Sequence, residues 1–104
     1  MQRMLKTTKS YTLVILRRTP RRDEPGANAI IWEHGRRNFE LRRDGTLSIV
    51  CPAVRDQSDI AGICIFSTDL RKTKEIMDAD PAIKAGILTY DSHLIEGFPG
   101  DVLP

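Results

Sequence analysis

Four short runs of aliphatic and β-branched residues, none with a wholly polar face, constrain this chain more than any other feature of its sequence. The run 11–18, YTLVILRR, places Leu13 and Ile15 on one side and Val14 and Leu16 on the other, as a strand apolar on both sides would. Thr46 to Ala53 and Ile60 to Ser67 are the second and third runs, joined by a polar turn at 55–59. In the second, alternation puts Leu47, Ile49, Cys51 and Ala53 on one face and Val50 on the other. In the third, Ile60, Gly62, Cys64 and Phe66 oppose Ala61, Ile63 and Ile65. Ile87 to Ile95 is the fourth.

Two helical patterns separate these strands. The spacing of Ala27, Ile30, Ile31, His34, Asn38 and Leu41 predicts an amphipathic helix over 27–43, stopped by Gly45 in the left-handed position that ends many helices. Thr19 to Gly26 is the loop before it, with Asp23 and Glu24 favourably placed near the start of the helix. Ser67, Thr68 and Asp69 offer caps for a second helix over 70–79, whose inner stripe is Leu70, Thr73, Ile76 and Met77. Asp80-Pro81 breaks it, and a short turn, 82–86, follows.

The order β-α-β-β-α-β predicts an α+β, ferredoxin-like domain: a four-stranded antiparallel sheet with two helices on one face. The helices leave the other face uncovered, and its Val, Ile and Leu would form a large apolar patch on a monomer. A symmetric homodimer, packed sheet to sheet, is the expected remedy. Residues 1–9 are expected to be a frayed leader, 10–96 the domain, and 97–104 an aperiodic Pro/Gly tail.

Composition narrows the function classes. A chain of 104 residues supports one modest core. A net charge of +2 is too small to argue for a nucleic-acid partner, and no aromatics are interleaved with the arginines as a base-stacking platform needs. The arginines do cluster, at 17–22 and at 36–43, which fits either solvated surface or an anionic small ligand or carboxylate-bearing substrate; an arginine of the 17–22 loop could hold such a substrate at a pocket mouth, and no single one stands out. The apolar run 11–16 is too short for a signal segment or a membrane span, so no membrane partner and a cytoplasmic location are expected. Cys51, Cys64, His34 and His93 lack metal-ligand spacing, so neither metal nor cofactor is expected. A hairpin about Asp56 and Gln57 would bring the two cysteines close, and reduced, packed thiols are the expectation.

His34 falls on the apolar stripe where leucine or methionine would be expected, and Gly35 beside it costs about 1 kcal/mol of helix stability against alanine. Close approach of a backbone or ligand would explain that glycine; so would simple tolerance.

The stretch HGRRNFELRRDGTLSIVCP at 34–52 resembles the YCII-like family pattern of a histidine, a leucine seven residues on, a glycine eleven on and a strand ending in Gly-Pro. His34, Leu41, Gly45 and Pro52 match it; Cys51 replaces the glycine, and Asn38 stands where leucine is common. AGICIF at 61–66 is similar to the family's third strand, and ADPAIKAG at 79–86 to its most recognisable motif, so the resemblance spans about residues 11–95. It implies a dimeric α/β barrel with a His–Asp dyad in a cleft, here His34 and Asp80. Some relatives process small chlorinated or hydroxylated aromatic compounds.

A His–Asp pair suits general base catalysis, because the carboxylate fixes the ring tautomer and stabilises the imidazolium that forms. Each residue also has a purely structural alternative. The histidine of an apolar face often hydrogen-bonds a backbone carbonyl, and Asp80 suits the cap of the Pro81 turn. At about 1.5 Å per helical residue, the offset between mid-helix His34 and Asp80 leaves open whether they touch directly or through water or substrate. Trp32, Asn38, Cys51 and Tyr90 are the candidate substrate contacts, and Phe39 lies seven residues after Trp32 on the helix. His93 is expected to be a partly exposed strand residue. Three function classes follow: a small cofactor-independent lyase or isomerase, a ligand-binding or regulatory module without turnover, and a structural dimerisation domain.

Overall fold

In the computed structural model, which describes residues 7–104, the chain is a mixed α+β fold with one four-stranded antiparallel sheet and three α-helices. The elements run β1 (Lys9–Arg18), a 3-10 turn (Pro20–Asp23), α1 (Ala27–Arg43), β2 (Leu47–Pro52), β3 (Ile60–Phe66), α2 (Leu70–Asp78), α3 (Pro81–Lys84) and β4 (Leu88–Gly97). The strand order is β2-β3-β1-β4, with every neighbouring pair antiparallel, and is compatible with a ferredoxin-like arrangement. Among the described residues, no helix is long and apolar enough to cross a membrane.

Local chemistry accounts for the helix ends. Gly45, at φ +80°, closes α1: its N–H donates to the Arg42 carbonyl while the Thr46 N–H donates to that of Leu41. This pair of bonds satisfies carbonyls that would otherwise be orphaned. Asp69 caps α2, its carboxylate accepting the Lys72 N–H at 2.8 Å, and Asp80 caps α3 in the same manner through Ala82. Each cap follows from a side chain already visible in the sequence.

One face of the sheet carries the core. Val14, Leu16, Leu47, Cys64, Phe66 and Leu88 from the strands meet Ala27 of α1, Ile76 and Met77 of α2 and Ala82 of α3. The alternation along β1 is as expected, with Val14 and Leu16 buried and Leu13 and Ile15 on the uncovered side. The alternation along β2 is not. The pairing with β3 shifts between Leu47 and Ile49, an irregularity at Ser48. One extra residue turns the rest of the strand over. Val50 therefore pairs with buried Cys64 and packs on the core beside Leu47, whereas Ile49 and Cys51 pair with Ile65 and Ile63 on the uncovered face. The expectation that Leu47, Ile49 and Cys51 share a face is corrected by this shift.

Several boundaries also move. The 3-10 turn occupies part of the predicted loop, and β4 extends through Gly97 into the predicted tail. β1 starts at Lys9, within the segment expected to be a frayed leader, and the Thr8 hydroxyl donates to Glu96 at 3.1 Å. Positions 1–6 of that leader lie outside the described residues. Past β4 the chain has no regular structure, and its residues border a second hollow beside Ile49, Ile65 and Ile95. Cys51 and Cys64 are both free thiols. They are diagonal neighbours across the β2–β3 ladder and point to opposite faces.

Candidate active site

α1 packs over β2, and α3, capped by Asp80, packs directly against α1. His34 Nδ1 lies 2.7 Å from Asp80 Oδ2, a direct hydrogen bond. The offset inferred from helical rise does not separate them, because Asp80 is not on the axis of α2. Its extended backbone (φ −69°, ψ 133°) turns the chain between α2 and α3. The same aspartate makes two contacts at once: Oδ1 accepts the Ala82 N–H at 2.8 Å as helix cap, and Oδ2 accepts from His34.

Arg37 completes this group. Its Nη1 lies 3.5 Å from Asp80 Oδ2, and its Nη2 donates to the Ile76 carbonyl at 2.8 Å. One side chain thereby pins the last turn of α2 and the carboxylate together. Asp80 has no solvent exposure, and the His34 side chain only 12 %. Burial by itself pushes the Asp80 carboxyl up. The hydrogen bond and charge of His34, the Ala82 N–H and the Arg37 guanidinium outweigh that and hold it below the usual carboxylate range.

An ionised carboxylate can only accept, so the hydrogen on Nδ1 belongs to the imidazole. Asn38, one turn further along α1, sets its Nδ2 3.3 Å from His34 Nε2. An amide N–H there needs a lone pair to receive it, which agrees with that tautomer. In the neutral ring, Nε2 is thus the basic nitrogen.

His34, Gly35 and Asn38 line a cavity of about 530 Å³ between α1 and the β2–β3 edge. Most of its remaining wall is apolar, including Ile31, Val50, Pro52 and Leu88. Arg18 holds the β2–β3 connection at its rim, donating to the carbonyls of Ser58 and Ala53 at 3.0 and 2.9 Å. A Cβ on Gly35 would meet nothing within 4 Å, so this glycine widens the cavity and no backbone approaches it.

The sequence-derived residues divide between this cavity and other places. His34, Asn38 and Cys51 are in its walls, the Cys51 side chain on the sheet face shared with Ile63. Asp80 stands behind His34. Trp32 does not line the cavity; it is 67 % exposed on the outer side of α1. Tyr90 is also elsewhere, its hydroxyl donating to Asp78 Oδ1 at 2.7 Å. Burial and then that carboxylate push the phenol up to about 12. Phe39, Arg22 and Arg42 do border the cavity. His93 is half-exposed, 3.5 Å from Asp91. Among the described residues, no three His, Cys, Asp or Glu side chains converge as metal ligands.

Arg37 and Arg42 are not singled out by sequence reasoning, which takes them only as part of the arginine cluster at 36–43. Both were visible on the predicted helix, Arg37 at i+3 and Arg42 at i+8 from His34, spacings that share its face. Compared with known proteins, the chain matches no family model and no curated sequence.

Proposed function

We propose that this chain is a small, cofactor-independent acid–base enzyme of the YCII-like kind, a lyase or isomerase acting on a small aromatic or lactone substrate beside His34. The observation that carries the reading is the buried Asp80–His34 hydrogen bond at the wall of an apolar cavity that His34 lines. His34 Nε2 takes a proton from a phenol or from the carbon next to a carbonyl. Asp80, fixed by Ala82 and Arg37, holds the ring and stabilises the imidazolium that results. The proton then returns to a neighbouring carbon, or leaves with a departing group. The Asn38 amide, a weak 3.3 Å donor at rest, yields Nε2 to the substrate. A base so placed contributes roughly 10²–10⁴-fold.

The same reading takes the uncovered sheet face as a homodimer interface, closing two sheets into a dimeric α/β barrel. Leu13, Ile15, Ile63 and Ile65 support it, being half-buried residues on the side away from the helices. Two free thiols fit a reducing, cytoplasmic setting.

Turnover of a phenol and lactone panel by wild type and His34→Ala tests the reading. Loss of activity with the fold retained, at a lowered melting temperature because Asp80 loses its buried partner, is expected; undiminished turnover overturns it. One observation favours a second reading, a ligand-binding or regulatory module without turnover: both ring nitrogens already have partners inside the protein. A small molecule that raises the melting temperature, with no turnover on any panel, would select it.

A further inference from the structure

Three residues one helical turn apart, His34, Asn38 and Arg42, line one cavity from its inner wall to its rim. Their spacing of four stacks them on one face of α1. Eight residues carry the Arg42 Cα about 12 Å beyond that of His34 along the axis. Between the two ends, the facing walls are apolar: Val50, Pro52, Val54 and Leu88. A volume of about 530 Å³ suits a small organic molecule.

The charge on these walls has one sign. Arg18, Arg22 and Arg42 line the cavity, and no aspartate or glutamate does. The three guanidinium groups are engaged to different degrees. Arg18 spends both terminal nitrogens on the carbonyls of Ser58 and Ala53. Arg22 donates one terminal nitrogen to Asn28 Oδ1 at 2.9 Å. The Arg42 guanidinium has no hydrogen bond or ion pair among the described residues. By contrast, on the outer side of the same helix, Arg36 is paired with both Glu33 and Glu40. The helix supplies acidic partners to its solvent face and withholds them from the cavity face.

We propose that the cavity selects a small organic carboxylate with an apolar body, its carboxylate held by Arg42 with help from Arg22 and its reactive end at His34. A planar guanidinium with unused donors matches a carboxylate in shape and charge. The flanking apolar wall lowers the local dielectric and strengthens that pairing, while its position at the rim keeps it sensitive to salt. The inference rests on the reading of this cavity as the substrate site, and it adds which substrates enter.

The test is calorimetric titration of the full chain with 2-naphthoate and with its neutral counterpart 2-naphthamide. Naphthoate is expected to bind about tenfold or more tightly than the amide, the margin one charged hydrogen bond provides. Arg42→Gln should bring naphthoate down to the affinity of the amide, leave the amide unchanged, and remove most of the salt dependence. Equal affinities for the two ligands, naphthoate binding indifferent to Arg42→Gln, or no naphthoate binding at all each overturn the proposal. Its failure is separable from that of the acid–base reading. Arg42-dependent binding without turnover on any panel sustains carboxylate selection and removes catalysis. Turnover that depends on His34 but treats neutral and carboxylate substrates alike does the reverse.

Discussion

His34 and Asp80, far apart in the chain, share a 2.7 Å hydrogen bond because the aspartate is the cap of one helix while facing the side of another. Capping holds the carboxylate in place before any ligand arrives, so the ring inherits a fixed tautomer. Asp80→Asn should break that inheritance. An amide can offer an N–H to Nδ1, which favours the tautomer with hydrogen on Nε2 and leaves Arg37 without its carboxylate. Nitrogen NMR of the imidazole should report the switch. Activity on any accepted substrate should fall roughly 10²–10⁴-fold. The melting transition should drop by the equivalent of about 3 kcal/mol, the cost of breaking a buried charged pair from one side.

Acid should destabilise the fold through the same carboxyl. His34, Ala82 and Arg37 together hold Asp80 below its ordinary value despite the opposing effect of burial. The unfolded chain, with its aspartates near about 3.9, therefore takes up the proton first as pH falls. The contribution of Asp80 is complete above that range and is lost as pH falls through its lower native value. Urea unfolding from neutral to acid pH should show the gap between wild type and Asp80→Asn narrowing toward acid. A constant gap would remove Asp80 from the acid response.

Two glycines that line the cavity should respond in opposite directions to the same substitution. A methyl group on Gly35 meets nothing within 4 Å, so Gly35→Ala should stabilise α1 by about 1 kcal/mol through helix propensity alone. On Gly62 it would stand 2.9 Å from the Cys51 backbone oxygen and 3.3 Å from the Pro52 Cα. Backbone cannot step aside cheaply there, and Gly62→Ala should cost about 1–3 kcal/mol. Denaturant midpoints of the two variants check both signs. A larger residue at 35 should also weaken any ligand of the cavity.

Much of this arrangement is legible in the sequence, because it depends on short-range chemistry. The stripe through His34, the glycine stop at 45 and the caps at 69 and 80 are each set by residues within a turn of one another. Element order then constrains the sheet. What was not legible depends on single-residue shifts or on which helix faces which. The irregularity at Ser48 has no turn residue to announce it, and it moves Cys51 to the uncovered face. Trp32 sits two positions from the stripe residue His34 and so points outward. The Tyr90 hydroxyl is claimed by Asp78, a pairing between α2 and β4 that no local pattern reveals. Direct contact between His34 and Asp80 required knowing how the chain turns between α2 and α3.

Cys64 should be chemically silent in the native protein. Burial first, then the nearby charge of Asp80, pushes its thiol up to about 12. A disulfide reagent at mildly alkaline pH should leave Cys64 unmodified until urea exposes it, and peptide mapping can separate it from Cys51. Rapid native labelling at Cys64 would mean that the core under α1 and α3 opens readily.

The uncovered sheet face supplies the last expectation. Leu13 lies at its centre, paired on one side with Ile65 and on the other with His93. If two copies meet there, Leu13→Lys should place a charge in the middle of the contact, where it cannot reach water. The same substitution on a free face would remain solvated and cost little. Light scattering should therefore return twice the 11.8 kDa chain mass for wild type and a single copy for Leu13→Lys, with the far-ultraviolet spectrum unchanged. A wild-type mass of one chain at micromolar concentration would remove the sheet-to-sheet dimer. The dyad, wholly within one subunit, would stand unaffected.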